Sequence, residues 1–232
     1  MSTIPIDGDT RAGSLLDSVS EMAMRPYRIL RGNRMGEIGL LILLGLLVLA
    51  MVGPAIAPYD PATKDINEDG TLASNEGPSA EHPLGTTRYG RDVLSQLLVG
   101  TRSALLVGFL TATIVVVTGT TVGLTAGYYG GWVDSILMRI TDIVYGIPIL
   151  PFAIIVLTML ERSIFWIIFM LGLIYWRNCA RIIRSEVLSL KENEFVQSAE
   201  TTGASAPRII VKQLLPNVLP ISFLYFAFAT GW

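Results

Sequence analysis

The feature that most limits this chain is a set of long runs without a single charged residue. Ile38 to Ala57, Ser103 to Trp132 and Ile143 to Leu160 contain no Asp, Glu, Lys or Arg. About 20 apolar residues, rising about 1.5 Å each, are what a helix needs to cross the hydrocarbon of a bilayer. In lipid every backbone N–H and C=O must find its partner within the element, so helices are the economical solution. The chain therefore reads as all-α: a polytopic membrane helix bundle. Composition agrees, with 51% hydrophobic and 16% charged residues and a mean hydropathy of +0.55.

Five spans are predicted. Residues 1–37 are polar, carry Arg11, Arg25, Arg28, Arg31 and Arg34, and lack an apolar core beside a cleavage-like site. They read as a cytoplasmic tail, not a removed signal peptide. The first span is residues 38–57. Arginines before it and acids after it (Asp60, Asp65, Glu68, Asp69, Glu76, Glu81) place the N-terminus inside by the positive-inside bias. Residues 58–100 then form an external loop, read as a linker too polar to fold alone, and an interfacial helix in which Val93, Leu94, Leu97 and Leu98 oppose Arg91, Asp92, Ser95 and Gln96.

The core runs over residues 101–232. Gly119, Gly123 and Gly127, four apart, mark a face for close helix packing. A third helix is predicted from about Val133. Arg139 and Asp142, three apart, can pair on one of its faces at membrane depth, which makes them candidates for a pathway or gate; a structural pair is the alternative. Pro148 and Pro151 interrupt the same helix and predict a kink usable as a hinge. The fourth run, Ser163 to Trp176, is short and must borrow Arg162 or Arg177 by snorkelling. Arg181, Arg184, Lys191, Arg208 and Lys212 make the next loop positive, hence cytoplasmic. A last span is predicted from near Leu214 through Pro216 and Pro220 to Trp232.

Residues 193–216 are the one strongly polar interruption of the apolar second half. They read as helix, sharp turn, helix. Ser189 with Glu192 can form a capping box. Phe195, Val196, Ala199 and Thr202 share one face, opposite Glu194, Gln197, Glu200 and Thr201. Gly203 can take the left-handed conformation that ends a helix. Ser205 can cap the next helix, with Pro207 in its first turn.

This stretch resembles the cytoplasmic loop of the permease subunits of ABC importers, whose pattern is Glu-Ala-Ala, three residues, Gly, nine residues, Ile-x-Leu-Pro. Gln197-Ser198-Ala199 stands at Glu-Ala-Ala, Gly203 at the glycine, Gln213 at the isoleucine, and Leu215-Pro216 at Leu-Pro. His82-Pro83-Leu84-Gly85-Thr86 with Gly90-Arg91-Asp92 resembles the entry segment of the dipeptide, oligopeptide and nickel branch, with Thr87 and Gln96 departing from it. The resemblance implies six spans in the family, and a coupling helix in the loop 182–212 that docks on a separate ATPase subunit through Phe195, Val196, Gln197, Ala199, Glu200 and Gly203. It implies two ATPase subunits that hold ATP and Mg, a second permease subunit (a similar chain, with a homodimer still open), an extracytoplasmic solute-binding protein, and a place in the plasma or inner membrane. Peptides are the expected cargo, with nickel and other small solutes open. Relatives often carry proline near Arg177, so that arginine is expected to mark a lipid or subunit contact. The family's last helix is completed and one more follows, so this chain is expected to be incomplete at its C-terminus.

Several functions lose ground. No G-x-x-x-x-G-K-[ST], HExxH or G-x-S-x-G occurs, so no enzyme activity and no cofactor is expected of the chain itself. A net charge of −2 argues against nucleic acid. Cys179 is alone, leaving no disulfide or cysteine metal site. The lone His82 in a Pro-Leu-Gly turn reads as structural, with no metal site. Two other readings remain: an ion channel or secondary transporter gated by Arg139 and Asp142, and a non-transporting membrane scaffold.

Overall fold

The structure, a computed structural model, describes residues 33–67, 69–160 and 163–231; the tail up to residue 32, Glu68, Glu161, Arg162 and Trp232 lie outside the described residues. The described residues form helices and irregular segments with no strand. Four of the helices are long and apolar enough to cross a membrane, and a bent pair makes a fifth crossing if it is one span. The chain is a polytopic helical membrane protein. It divides into two compact units, residues 1–102 and 103–232.

In the first unit, α1 (Arg34–Ile56) starts at Asn33, whose side chain accepts the Gly36 N–H at 3.4 Å. Most of its apolar side chains are exposed, as suits a helix surrounded by lipid. Gly53 is buried, and a methyl group there would lie 2.5 Å from the Leu98 carbonyl oxygen, so only glycine fits this approach.

The loop over residues 57–92 is ordered by specific bonds and is no passive linker. Ile66 bridges Leu72 and Thr86 bridges Asp92. The Asp65 N–H donates to Gly90 O at 2.6 Å, and the Ala73 N–H donates to Asp65 O at 3.1 Å. Polar sequence concealed this because backbone and small side chains do the tying, leaving only Ala73 as a buried apolar residue among the described positions of 58–92. Asp92 caps the following helix, α2 (Val93–Tyr129), with its carboxylate accepting the Ser95 N–H at 2.7 Å. The predicted interfacial helix and second span are thus one helix of 37 residues, about 55 Å long. Asp92 and Ser95 are buried at its start, and do not form the polar face of a surface helix.

In the second unit the hub is α5 (Ile164–Lys191), to which α3 (Gly131–Gly146), α4 (Ile149–Met159), α6 (Glu194–Thr201) and α8 (Leu215–Thr230) all pack. The glycine ladder on α2 faces it. Methyl groups built at Gly119, Gly123 and Gly127 would lie 2.5 Å from Cys179, 2.7 Å from Ile183 and 2.7 Å from Val187, respectively. Three glycines four apart meet three α5 residues four apart, so the packing role expected of them is what the structure shows. Cys179, Ile183 and Val187 are fully buried there.

Three helix boundaries differ from expectation. The fourth span is a 28-residue helix, because α5 continues past Trp176 through the arginines to Lys191. Ser189 is therefore in its last turn and caps nothing; Asn193 holds the N-cap position of α6. The first ten residues of the expected loop 182–212 belong to α5. The last span begins at Ala206, with α7 (Ala206–Ile209), a wider π segment (Ile210–Leu214) and α8 in series. In the π segment the Leu215 N–H donates to Ile210 O, five residues back. It stands just ahead of Pro216, which has no N–H and whose ring would press on the Lys212 carbonyl of a regular helix.

Candidate partner-docking and gating site

The polar interruption is built as a short helix held at both ends. Where α6 stops, Thr202 is the C-cap and Gly203 sits at φ +79°. The Ala204 N–H reaches Ala199 O and the Gly203 N–H reaches Glu200 O, both at 3.0 Å. These two bonds are the Schellman pattern, and Gly203 takes the left-handed position expected of it. At the front, Gln197 Nε2 donates to Glu192 O at 3.1 Å, closing the end of α5 over the start of α6. Lys191 Nζ donates to Tyr128 O at 2.6 Å, tying the end of α5 to the last turn of α2, where a helix carries partial negative charge. Ser205 is at an N-cap position, but its side chain makes no capping bond. Pro207 lies in the first turn of α7 as expected, and Leu215 and Pro216 open α8.

The predicted docking residues split into two groups. Val196 is 1% exposed and belongs to the core cluster of Ile209, Leu214 and Val218, so it seats α6 on its own chain; Ala199, half-buried, packs against the same cluster and also lines the groove beside α6. Phe195, Gln197, Glu200 and Gly203 are exposed. Beside them runs a shallow groove of about 640 Å³ lined by Phe195, Thr202, Gly203, Arg208 and Gln213 among others.

The gate candidates are rearranged. Arg139 and Asp142 do not pair. Arg139 is exposed and makes no ion pair among the described residues, whereas Asp142 pairs with Arg181 on α5. A second bridge joins Asp134 to Arg184, with Nε and Nη2 each 2.5 Å from a carboxylate oxygen. Between Arg177 and Arg181, the Tyr145 hydroxyl donates to Asn178 Oδ1. The guanidinium carbons of Arg177 and Arg181 lie 4.4 and 4.3 Å from the Tyr145 ring centre. Sequence reasoning paired the nearest opposite charges on one helix. Three-dimensional packing instead gave each acid on α3 an arginine within reach on the antiparallel α5.

Pro148 and Pro151 do more than kink a helix. They stand at a complete break, with α3 and α4 bent by 81°. Pro148 is the N-cap of α4 and Pro151 lies in its first turn, where a missing N–H costs little. Arg177 is 8% exposed, not lipid-facing, and its Nη1 donates to Val144 O at 3.1 Å beside the break.

A third cluster was invisible in the sequence. His82 Nδ1 is 3.0 Å from Asp92 and Nε2 is 2.6 Å from Asp65. His82 and Asp92 are buried, while Asp65 is about half exposed. The Asp92 hydrogen bond, with a smaller contribution from Asp65, raises the His82 pKa against the opposing effect of burial. Burial pushes Asp92 up, but bonds from Ser95 and His82 outweigh it and hold its carboxyl below the usual range. The cluster ties the loop to the start of α2, which agrees with a structural role for His82. Asp65 is seventeen residues from it, so spacing gave no signal. The cap at Asp92 was findable, since an aspartate before an apolar helical run is an N-cap signature.

An unbroken-and-broken set of apolar helices with a short, partly exposed polar helix between two of them defines a multi-pass membrane protein. Residues 119–232 match the family described as binding-protein-dependent transport system inner membrane component, and residues 25–78 match the N-terminal TM domain of oligopeptide transport permease C. The dipeptide transport system permease protein DppC of Bacillus subtilis is 39% identical over 193 residues, 83% of this chain and 59% of that protein. The oligopeptide transport system permease protein OppC of Mycobacterium tuberculosis is 35% identical over 208 residues, covering 88% of this chain and 70% of that one. The glutathione transport system permease protein GsiD of Pectobacterium atrosepticum is 33% identical over 204 residues, 88% and 66% of the two chains. This chain belongs to the family of binding-protein-dependent transport system inner membrane components. It spans about three fifths of the length of several of the relatives it matches.

Proposed function

We propose that the chain is the permease subunit of an ATP-driven importer of short peptides, worked by separate ATPase subunits through α6. The observation that carries this is the build of α6 itself. Val196 and Ala199 anchor it to the bundle, the turn at Gly203 fixes its direction, and Phe195, Gln197 and Glu200 remain exposed beside a groove. A helix held in this way moves as one body with α5, so force applied to its outer face reaches the spans and is not lost in a loop. Two ATPase subunits would bind ATP and Mg and dock here. A second permease subunit would complete the pathway, and a solute-binding protein would deliver cargo on the opposite side, with the N-terminus cytoplasmic. Peptide cargo is supported by the relatives, which include permeases of dipeptide, oligopeptide and glutathione transport systems.

Crosslinking tests this. In a Cys179→Ala background, Glu200→Cys is co-expressed with candidate ATPase subunits, and Ser74→Cys in the polar loop serves as control. Capture of an ATPase at Glu200 and not at Ser74 is expected. A properly inserted chain that captures none at Glu200 would refute docking through α6.

A further inference from the structure

We infer that Arg177 is the positioning residue that holds the α3–α4 span broken, by donating to the carbonyl that Pro148 leaves without its helical partner. In a regular helix the N–H of residue 148 would bond to the carbonyl of residue 144, but proline has none. Val144 O is left with the Ile147 N–H at 3.3 Å, a long bond, and Arg177 Nη1 supplies a second donor at 3.1 Å. The guanidinium is set for this by stacking on Tyr145, the residue next to Val144, at 4.4 Å. Its buried Nε makes no hydrogen bond among the described residues. A group buried at that cost is held by what its other end does.

The consequence for transport rests on the importer reading. Arg177 is on α5, which runs without a break for about 21 Å from there to Lys191, beside the docking helix. Arg181 and Arg184 hold Asp142 and Asp134 along the way. A tilt of α5 imposed at α6 therefore draws α3 with it, and Arg177 is where the motion meets the break.

The test reads the bend directly, in the assembled complex without nucleotide. Spin labels are placed at Ser135→Cys and Thr158→Cys, both exposed, in the Cys179→Ala background. With an 81° bend the labelled backbone positions are about 25 Å apart, against about 35 Å in one straight helix rising about 1.5 Å per residue. Arg177→Met is expected to broaden the distribution toward the longer distance, while Arg177→Lys, which still donates, keeps the shorter one. Pro148→Ala restores the N–H to Val144 and lengthens the distance, and adding Arg177→Met to it changes nothing further. Uptake by the complete importer falls about tenfold in Arg177→Met, the equivalent of one charge-assisted hydrogen bond, with basal ATP hydrolysis retained. An unchanged distance in Arg177→Met overturns the proposal, as does an effect that simply adds to that of Pro148→Ala. The distance measurement needs no transport, so a shift with no ATP-driven uptake would count against the importer reading and not against this one.

Discussion

Replacing Gly203 separates backbone geometry from packing, because the structure supplies one without the other. The residue sits at φ +79°, and a methyl group built on it meets nothing within 4 Å. Any cost of a side chain is therefore local. The left-handed region costs an L-residue about 1–2 kcal/mol, less for Asn and more for a β-branched side chain. About 1–2 kcal/mol multiplies the open population of the turn by roughly 5–30. The turn is closed by the bonds from Ala204 to Ala199 and from Gly203 to Glu200. Hydrogen exchange of those two amides should thus accelerate by roughly that factor in Gly203→Ala, less in Gly203→Asn and more in Gly203→Val. Amides in the middle of α2 and α5 should be unaffected, and ATPase coupling should fall in the same order. If Val exchanged like Asn, or if α2 and α5 loosened equally, the account of this turn would be wrong.

Gly123→Val should act in the opposite way, because a methyl there already approaches Ala180 O and Ile183 Cβ at 2.7 Å. The helices must separate, at about 1–3 kcal/mol or more, lowering the thermal midpoint of the whole chain in detergent while leaving the α6 turn intact. For the His82 cluster the sign follows from the two shifts. The raised His82 pKa means its contribution is complete below about pH 6.5 and is lost as pH rises through the folded value; the lowered Asp92 pKa means its contribution is lost only as pH falls through its own folded value, below about 3.8. Protease resistance of the loop 57–92 should accordingly be greatest between those limits and fall on the alkaline side. His82→Gln should flatten the alkaline limb. A wild-type loop equally resistant from pH 5 to 9 would contradict this.

The spans, the glycine ladder and the left-handed turn were legible because each depends on local chemistry. Charge-free length, a spacing of four and a glycine between two helical patterns carry their meaning within a few residues. Helix existence was readable for the same reason, whereas ends were not: α5 runs on through Arg177, Arg181 and Arg184 because α3 offers it Tyr145, Asp142 and Asp134. Taken alone, those arginines looked like the end of a span.

What the sequence determined by itself is the class, a helical bundle for lipid with a polar helix set between two spans, since the bilayer requires internal satisfaction of every backbone group and leaves few other folds. The tertiary structure decided the pairings. It moved Asp142 from Arg139 to Arg181, turned Val196 inward from the exposed face of α6, and joined His82 to acids ten and seventeen residues away. Charges and apolar faces choose partners by distance and by the water excluded between them, and sequence separation measures neither.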